Sequence, residues 1–181
     1  SWQGCRHPRS ARWLEGYQGR ERVRCASRWR SKACRNTRTL HQEKAINHIL
    51  EGNDVLALLP TGGGKSICYQ LPALLSDGVC IVVSPLIALM KDQVENLKNK
   101  GIKAEYINSS ISRKSIDIIL DNCIYGKIKL LYISPERIQS ELFQKRFLKM
   151  NVSFLAIDEA HCISQWGYDF RPSYLEIKTL R

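Results

Sequence analysis

The amino-acid sequence predicts an α/β domain, a parallel sheet flanked by helices, and three observations carry that reading. Short apolar runs recur at Val55–Leu59, Val79–Ser84, Ala104–Ile107, Lys129–Ser134 and Phe154–Ile157. Continuously apolar runs of this length suit parallel strands covered on both faces. The stretches between them are long enough for helical crossovers, and strands alternating with helices imply a parallel sheet. A glycine-rich loop also stands between the first run and a helix. With 181 residues, 44% of them hydrophobic, the chain can bury one core of ordinary size.

Residues 1–38 stand apart from that pattern. They carry eleven Lys/Arg and two Glu, a net charge of +9, which leaves only +2 of the chain's +11 for residues 39–181. This segment holds Trp2, Trp13 and Trp29, but its only large aliphatic residues are Leu14 and Val23. So little apolar surface does not offset the entropy of ordering, and the segment is expected to be disordered. It uses ten Arg to one Lys, whereas the rest uses twelve Lys to five Arg. The expectation is an extension foreign to the fold, from a wrong-frame translation, an expression scar or a chimeric join. A basic nucleic-acid-binding arm is the functional alternative, since Arg and Trp bind phosphates and stack on bases.

Between His41 and Glu51, Ala45, Ile46, Ile49 and Leu50 fall at helical spacing, which predicts an amphipathic helix ending near Gly52. Val55–Leu59 follows as a predicted strand that Pro60 ends, and Ser66–Leu75 as a helix. Beyond Val79–Ser84, Leu86–Lys100 reads as a helix stopped by Gly101, and Arg113–Ile124 as another. Seven Cys include no CxxC pair, and the sequence has no signal peptide and no long apolar run. The chain therefore reads as a soluble protein of a reducing compartment, with free buried thiols rather than a zinc site.

Leu59-Pro60-Thr61-Gly62-Gly63-Gly64-Lys65-Ser66 occupies the strand-to-helix setting that a phosphate-binding loop requires. Consecutive glycines let successive N–H groups turn toward phosphate oxygens, and the helix N-terminus adds its positive end. Lys65 supplies charge for the β/γ-phosphates and Ser66 a hydroxyl for Mg²⁺. The strict form of the loop has Gly where Leu59 stands, so the match is to a relaxed version. Phe154-Leu-Ala-Ile157 then leads into Asp158-Glu159-Ala160-His161-Cys162, a buried strand ending in two carboxylates at the sheet's carboxyl edge, where open α/β folds bind ligands. Asp158 is placed to hold Mg²⁺, Glu159 to polarise an attacking water, and His161 to relay the nucleotide state outward.

Asp158-Glu159-Ala160-His161 is a DEAH box, and Cys162-Ile163-Ser164-Gln165-Trp166-Gly167-Tyr168-Asp169-Phe170-Arg171-Pro172 closely resembles the aromatic-rich loop of RecQ helicases. The resemblance implies that Trp166, Phe170 and Arg171 sense single-stranded DNA and couple it to ATP hydrolysis. The chemistry agrees: aromatic faces stack on bases without sequence preference, and Arg adds phosphate and cation–π contacts. Val83–Gln93, with Ser84 and Pro85, resembles motif Ia. Asn108-Ser109-Ser110 is similar to the next DNA-proximal element, and Tyr132–Arg137 to motif Ib. Gln42, 23 residues before Lys65, matches the adenine-reading Gln of motif 0; its amide can pair with both N6 and N7 of adenine. The sequence departs from the family at Arg38, displaced by one position, at Tyr168 in place of His, and at Ser173 in place of an acidic residue.

The resemblance covers roughly residues 40–181 and implies a RecA-like P-loop NTPase lobe spanning 39–181, truncated before motif III and without the second RecA-like lobe. It implies an ATP-dependent 3′–5′ DNA helicase of DNA repair and recombination, using ATP and Mg²⁺. Single-stranded DNA or a single-/double-strand junction would be its partner, in the bacterial-type cytoplasm at the nucleoid and not at a membrane. Nucleotide contacts are expected from Gln42, Thr61, Gly62, Gly63, Gly64, Lys65 and Ser66, and Mg²⁺ contacts from Ser66 and Asp158. Lys65, Asp158, Glu159 and His161 would carry catalysis, and Ser84, Pro85, Ser109, Trp166, Phe170 and Arg171 would meet DNA. One alternative is a non-catalytic nucleotide- or DNA-binding fragment. Another, a P-loop transporter or kinase, conflicts with the aromatic loop.

Overall fold

The computed structural model describes residues 38–59, 64–164 and 171–180. The expectations for residues 1–37, for Pro60–Gly63 and for the aromatic stretch 165–170 therefore lie outside the described residues. The described residues divide into two compact units, one up to Asp77 and one from Gly78.

In the first unit, α1 (Arg38–Leu50) packs against α2 (Lys65–Leu75). α1 ends as its sequence dictates: Gly52 adopts φ 84°, its N–H bonds the Ile49 carbonyl, and the Asn53 N–H reaches back to the His48 carbonyl at 3.0 Å. This double closure needs a residue that tolerates the left-handed region, which Gly does without steric cost. The expected strand Val55–Leu59 is not formed. Residues 53–59 have no regular structure, and Leu56 and Leu58 are 79% and 87% exposed. A parallel strand gains its hydrogen bonds from distant segments only, and among the described residues none pairs with this run.

The second unit holds β1 (Val79–Val83), α3 (Ile87–Lys98), β2 (Ala104–Ile107), α4 (Arg113–Ile124), β3 (Leu130–Ile133), the short helices α5 (Pro135–Ile138) and α6 (Glu141–Phe147), and β4 (Val152–Ile157). Two 3-10 segments follow, Ala160–Ile163 and Pro172–Leu180. The described strands form a four-stranded, wholly parallel sheet in the order β2-β3-β1-β4, with Ile81 opposite Leu131 on one side and Leu155 on the other. This is the parallel α/β sheet that the alternating pattern predicts. Local chemistry starts the helices: the Ser112 hydroxyl accepts the Ser115 N–H ahead of α4, the Ser140 hydroxyl accepts the Phe143 N–H ahead of α6, and Pro135 opens α5.

β1 is buried at every position, and Ile81, Val83, Ile107, Leu120, Leu131, Ile133, Ile138, Phe143 and Tyr174 belong to one core. β4, by contrast, is half-buried from Val152 to Ala156 and exposed at Ile157 rather than buried as its composition predicts, lying at the edge of the described sheet. Arg146 of α6 clasps α4 through Asp117, at 2.7 Å, and Asp121. Cys68, Cys80, Cys123 and Cys162 are buried and form no disulfide. Burial, with a smaller contribution from the Glu105 carboxylate, pushes the Cys123 thiol up to about 12.

Candidate functional site

Each unit carries its own group of expected site residues. In the first, Gly64 sits just ahead of α2 in the left-handed conformation, φ 71° and ψ 34°, and no side chain caps the helix. The first N–H groups of an α-helix have no intrahelical partner, so an uncapped, exposed terminus is ready for an anion. Lys65 and Ser66 form the first turn of α2, Lys65 exposed and Ser66 half-buried. The Gln42 side-chain amide donates to the Gly64 carbonyl at 3.5 Å, and a Cβ on Gly64 would stand 2.7 Å from Gln42 Nε2. The adenine-reading candidate and the phosphate loop thus meet at a left-handed glycine. An ammonium, a hydroxyl and uncapped N–H groups suit a nucleotide triphosphate with its magnesium. Thr61, Gly62 and Gly63 lie outside the described residues.

In the second unit all strands run the same way, so Ser84, Asn108, Ser134 and Asp158 follow their carboxyl ends along one edge. The Asp158 N–H donates to the Val83 carbonyl at 2.9 Å, carrying the β1–β4 pairing one residue beyond the strand. Its Oδ1 accepts the Glu159 N–H at 3.1 Å. Glu159 adopts φ 51° and ψ 46°, and no other non-glycine among the described residues has positive φ. Such backbone is held only where surrounding contacts over-determine it. Those contacts are visible here. Tyr174, 1% exposed, donates its hydroxyl to the Asp158 carbonyl at 3.0 Å, and the Cys162 N–H closes onto the Glu159 carbonyl at 2.9 Å. His161 Nδ1 lies 3.2 Å from Glu159 Oε2, with the imidazole 58% exposed. Burial, reinforced by Cys162 and Asp158, raises the Tyr174 phenol, so it remains a donor through neutral pH.

The residues expected to meet DNA separate by burial. Ser84 and Pro85 are buried, the Ser84 hydroxyl has no hydrogen-bond partner, and Ser109 is exposed. The Arg171 guanidinium donates to the Pro85 carbonyl at 3.3 Å, while its backbone N–H donates to the Cys162 carbonyl at 3.0 Å. Arg171 therefore ties the far end of the aromatic stretch both to the turn after β1 and to the DEAH turn. Trp166 and Phe170 lie outside the described residues. Arg137, quoted within motif Ib but given no role, donates to the Asn108 and Ser109 carbonyls, both at 3.2 Å. Asn108 is fully buried, and its Oδ1 accepts from the Ser110 N–H at 2.9 Å and hydroxyl at 2.7 Å, a side-chain-closed turn. Tyr174 is the other residue the sequence reading passes over; its only sequence signal is its place directly after the Arg171-Pro172 string.

Among the described residues no group of three or more His, Cys, Asp or Glu could hold a metal ion, and no helix is long and apolar enough to cross a membrane. Comparison with known proteins matches the DEAD/DEAH box helicase family over residues 39–181, and the chain belongs to that family. Its relatives within it are RecQ-type enzymes. It is 49% identical over 140 residues to the ATP-dependent DNA helicase RecQ of Haemophilus influenzae, covering 77% of this chain and 23% of that protein. Identity to RecQ of Bacillus subtilis is 53% over 140 residues, with 77% and 24% covered. Identity to the ATP-dependent DNA helicase Q5 of Rattus norvegicus is 48% over 147 residues, with 77% and 15% covered. The chain thus spans less than a quarter of the length of these relatives. With the family established, the parallel sheet and its flanking helices are a RecA-like lobe, as the DEAH box and the loop after it imply.

Proposed function

We propose that this chain is the nucleotide-binding motor lobe of an ATP-dependent 3′–5′ DNA helicase of RecQ type. The observation that carries the reading is the meeting of Gln42 with Gly64 at the uncapped start of α2, because it joins a base-reading amide to a phosphate loop 22 residues away. Gln42 would orient the adenine, the Thr61–Gly64 backbone and Lys65 would hold the phosphates, and Ser66 and Asp158 would supply oxygen ligands for Mg²⁺. Bound magnesium would neutralise charge developing on the transferred phosphoryl group. Glu159 would orient and polarise the attacking water. His161, whose Nδ1 lies 3.2 Å from Glu159 Oε2, carries the nucleotide state toward the loop that follows.

Ser84, Pro85, Ser109, Trp166, Phe170 and Arg171 form the DNA-facing set, with Arg171 as the link between loop and DEAH turn. Single-stranded DNA or a junction is the substrate, and the second lobe that completes the motor belongs to the remainder of the parent protein. The segment 1–38 is foreign to this fold in composition, save that Arg38 opens α1, and the working location is the bacterial-type cytoplasm at the nucleoid. A non-catalytic binding role is the second reading, and the exposed, unformed run Val55–Leu59 ahead of the phosphate loop favours it. The test is titration of a fluorescent ATP analogue with Mg²⁺. Saturable binding should fall at least about tenfold in Lys65→Ala, a loss of about 1.4 kcal/mol, and persist without residues 1–38. Equal binding by Lys65→Ala would overturn the assignment of the phosphate loop.

A further inference from the structure

Two side chains hold the turn that follows β2. Asn108, 0% exposed, spends its Oδ1 on the Ser110 N–H at 2.9 Å and the Ser110 hydroxyl at 2.7 Å, while its Nδ2 has no hydrogen-bond partner. The second is Arg137, half-buried on α5. Its Nε donates to the Asn108 carbonyl and its Nη2 to the Ser109 carbonyl, both at 3.2 Å, so one guanidinium spans two successive carbonyls. α5 is placed for this because β2 and β3 are neighbours. The Ser134 N–H donates to the Ile107 carbonyl at 3.1 Å, and the Arg137 N–H donates to the Ser134 carbonyl at 3.0 Å. Among the described residues the Arg137 side chain makes no ion pair and no other hydrogen bond. The two serines differ in what is left to them. Ser110 closes the turn, whereas the exposed Ser109 hydroxyl makes no hydrogen bond among the described residues.

We propose that Arg137 is a positioning residue for DNA binding: by clamping the Asn108 and Ser109 carbonyls it fixes the backbone from which the Ser109 hydroxyl meets a DNA phosphate. The inference rests on the DNA-facing assignment of Ser109 under the proposed function. A hydroxyl on a loose turn gains little from a phosphate, since ordering the backbone costs about as much as such a bond returns. The clamp removes that cost before DNA arrives. Arginine suits the task and lysine does not, because a planar fork reaches two carbonyls at once and an ammonium is a point charge. A direct phosphate contact by Arg137 is the rival role, and two of its three guanidinium nitrogens are already committed to carbonyls. Salt separates the two, because a phosphate contact releases counterions and a positioning role does not.

The probe is a fluorescein-labelled oligothymidylate, titrated against the full chain and its Arg137→Lys, Arg137→Gln, Ser109→Ala and Arg137→Lys/Ser109→Ala variants, with backbone amide exchange followed by NMR. Arg137→Lys and Arg137→Gln should each weaken binding about fivefold, with the slope of log affinity against log salt unchanged. In both, the Ser110 amide should exchange faster, while Val82 and Tyr132 of the sheet exchange as in the parent chain and report an intact fold. Ser109→Ala should weaken binding about threefold, and adding it to Arg137→Lys should cost nothing further, because the clamp acts through Ser109. Unchanged Ser110 exchange or additive losses would overturn the inference. So would a salt slope shallower by about 0.7 in Arg137→Gln, which would make Arg137 itself the phosphate contact. Failure of the parent chain to bind the oligonucleotide would overturn the DNA assignment of this edge and the inference with it. Parent binding that Arg137→Lys leaves intact would overturn the inference alone.

Discussion

Val79–Val83 and Val55–Leu59 are apolar runs of equal length, and their fates differ. The first is a strand buried at every residue; the second has no regular structure and exposes Leu56 and Leu58. Composition accounts for part of the difference. Val79, Ile81, Val82 and Val83 are β-branched, while the other run has Val55 alone among Leu and Ala, which favour helices. Pairing accounts for the rest, since β1 lies between β3 and β4 and exchanges hydrogen bonds on both sides. An apolar run is thus an offer to form a strand, and only partners accept it. The largest test of this contrast is a pair of truncations read by urea denaturation. Ile81→Ala should cost about 3 kcal/mol, because a fully buried side chain leaves a cavity. Leu58→Ala should stay within about 0.5 kcal/mol. Equal losses would break the contrast and mean that the 55–59 run is buried in solution.

Alkaline pH sharpens the same contrast from the side of the buried unit. Cys123 is 2% exposed on α4, and its thiol is raised from 9.0 to about 12, first by burial and then by Glu105. Folding therefore favours the protonated thiol. Its stabilising contribution is fully present below pH 9 and is lost as pH rises through about 12, by at most about 1.4 kcal/mol per pH unit. Urea midpoints measured between pH 8 and pH 11 should fall less steeply in Cys123→Ala than in the parent. Parallel slopes would show that this thiol does not titrate between folded and unfolded states.

Most of the second unit is legible in the sequence. The runs read as Val79–Ser84, Ala104–Ile107 and Lys129–Ser134 become β1, β2 and β3 within a residue or so, and Arg113–Ile124 becomes α4 with the same bounds. These elements announce themselves because periodicity and burial act on neighbouring residues. The DEAH turn is legible for the same reason, as carboxylates at the end of an apolar run. What escapes the sequence is contact across distance. Tyr174 reaches the Asp158 carbonyl 16 residues away, Arg137 reaches Asn108 across 29, and Arg171 reaches Pro85 across 86. Topology sets those meetings, and no local spacing encodes them. The left-handed backbone at Glu159 is hidden too, since Glu has no intrinsic preference for it. Val55–Leu59 fails for the converse reason: its apolar run reads as a strand although its residues favour helix, and among the described residues no strand pairs with it.

The smallest effect lies in the first unit, where conformation rather than burial shapes the site. At Gly64, φ 71° already disfavours any L side chain, and a new Cβ would also stand 2.7 Å from Gln42 Nε2. The second obstacle is the flexible end of a long side chain, which can swing away, so the backbone should dominate. Gly64→Ala is expected to destabilise the unit by about 1 kcal/mol, the usual penalty for left-handed alanine. Placing the same change in a Gln42→Ala background separates the contributions. A double-mutant cycle should return a coupling below about 0.5 kcal/mol, with most of the loss retained. Recovery of the whole loss on removing Gln42 would mean that the close approach of the amide, and not the turn of the backbone, requires glycine there. The loop would then be constrained by the Gln42 side chain itself, and exchange of Gln42 for a shorter residue would loosen the turn ahead of α2.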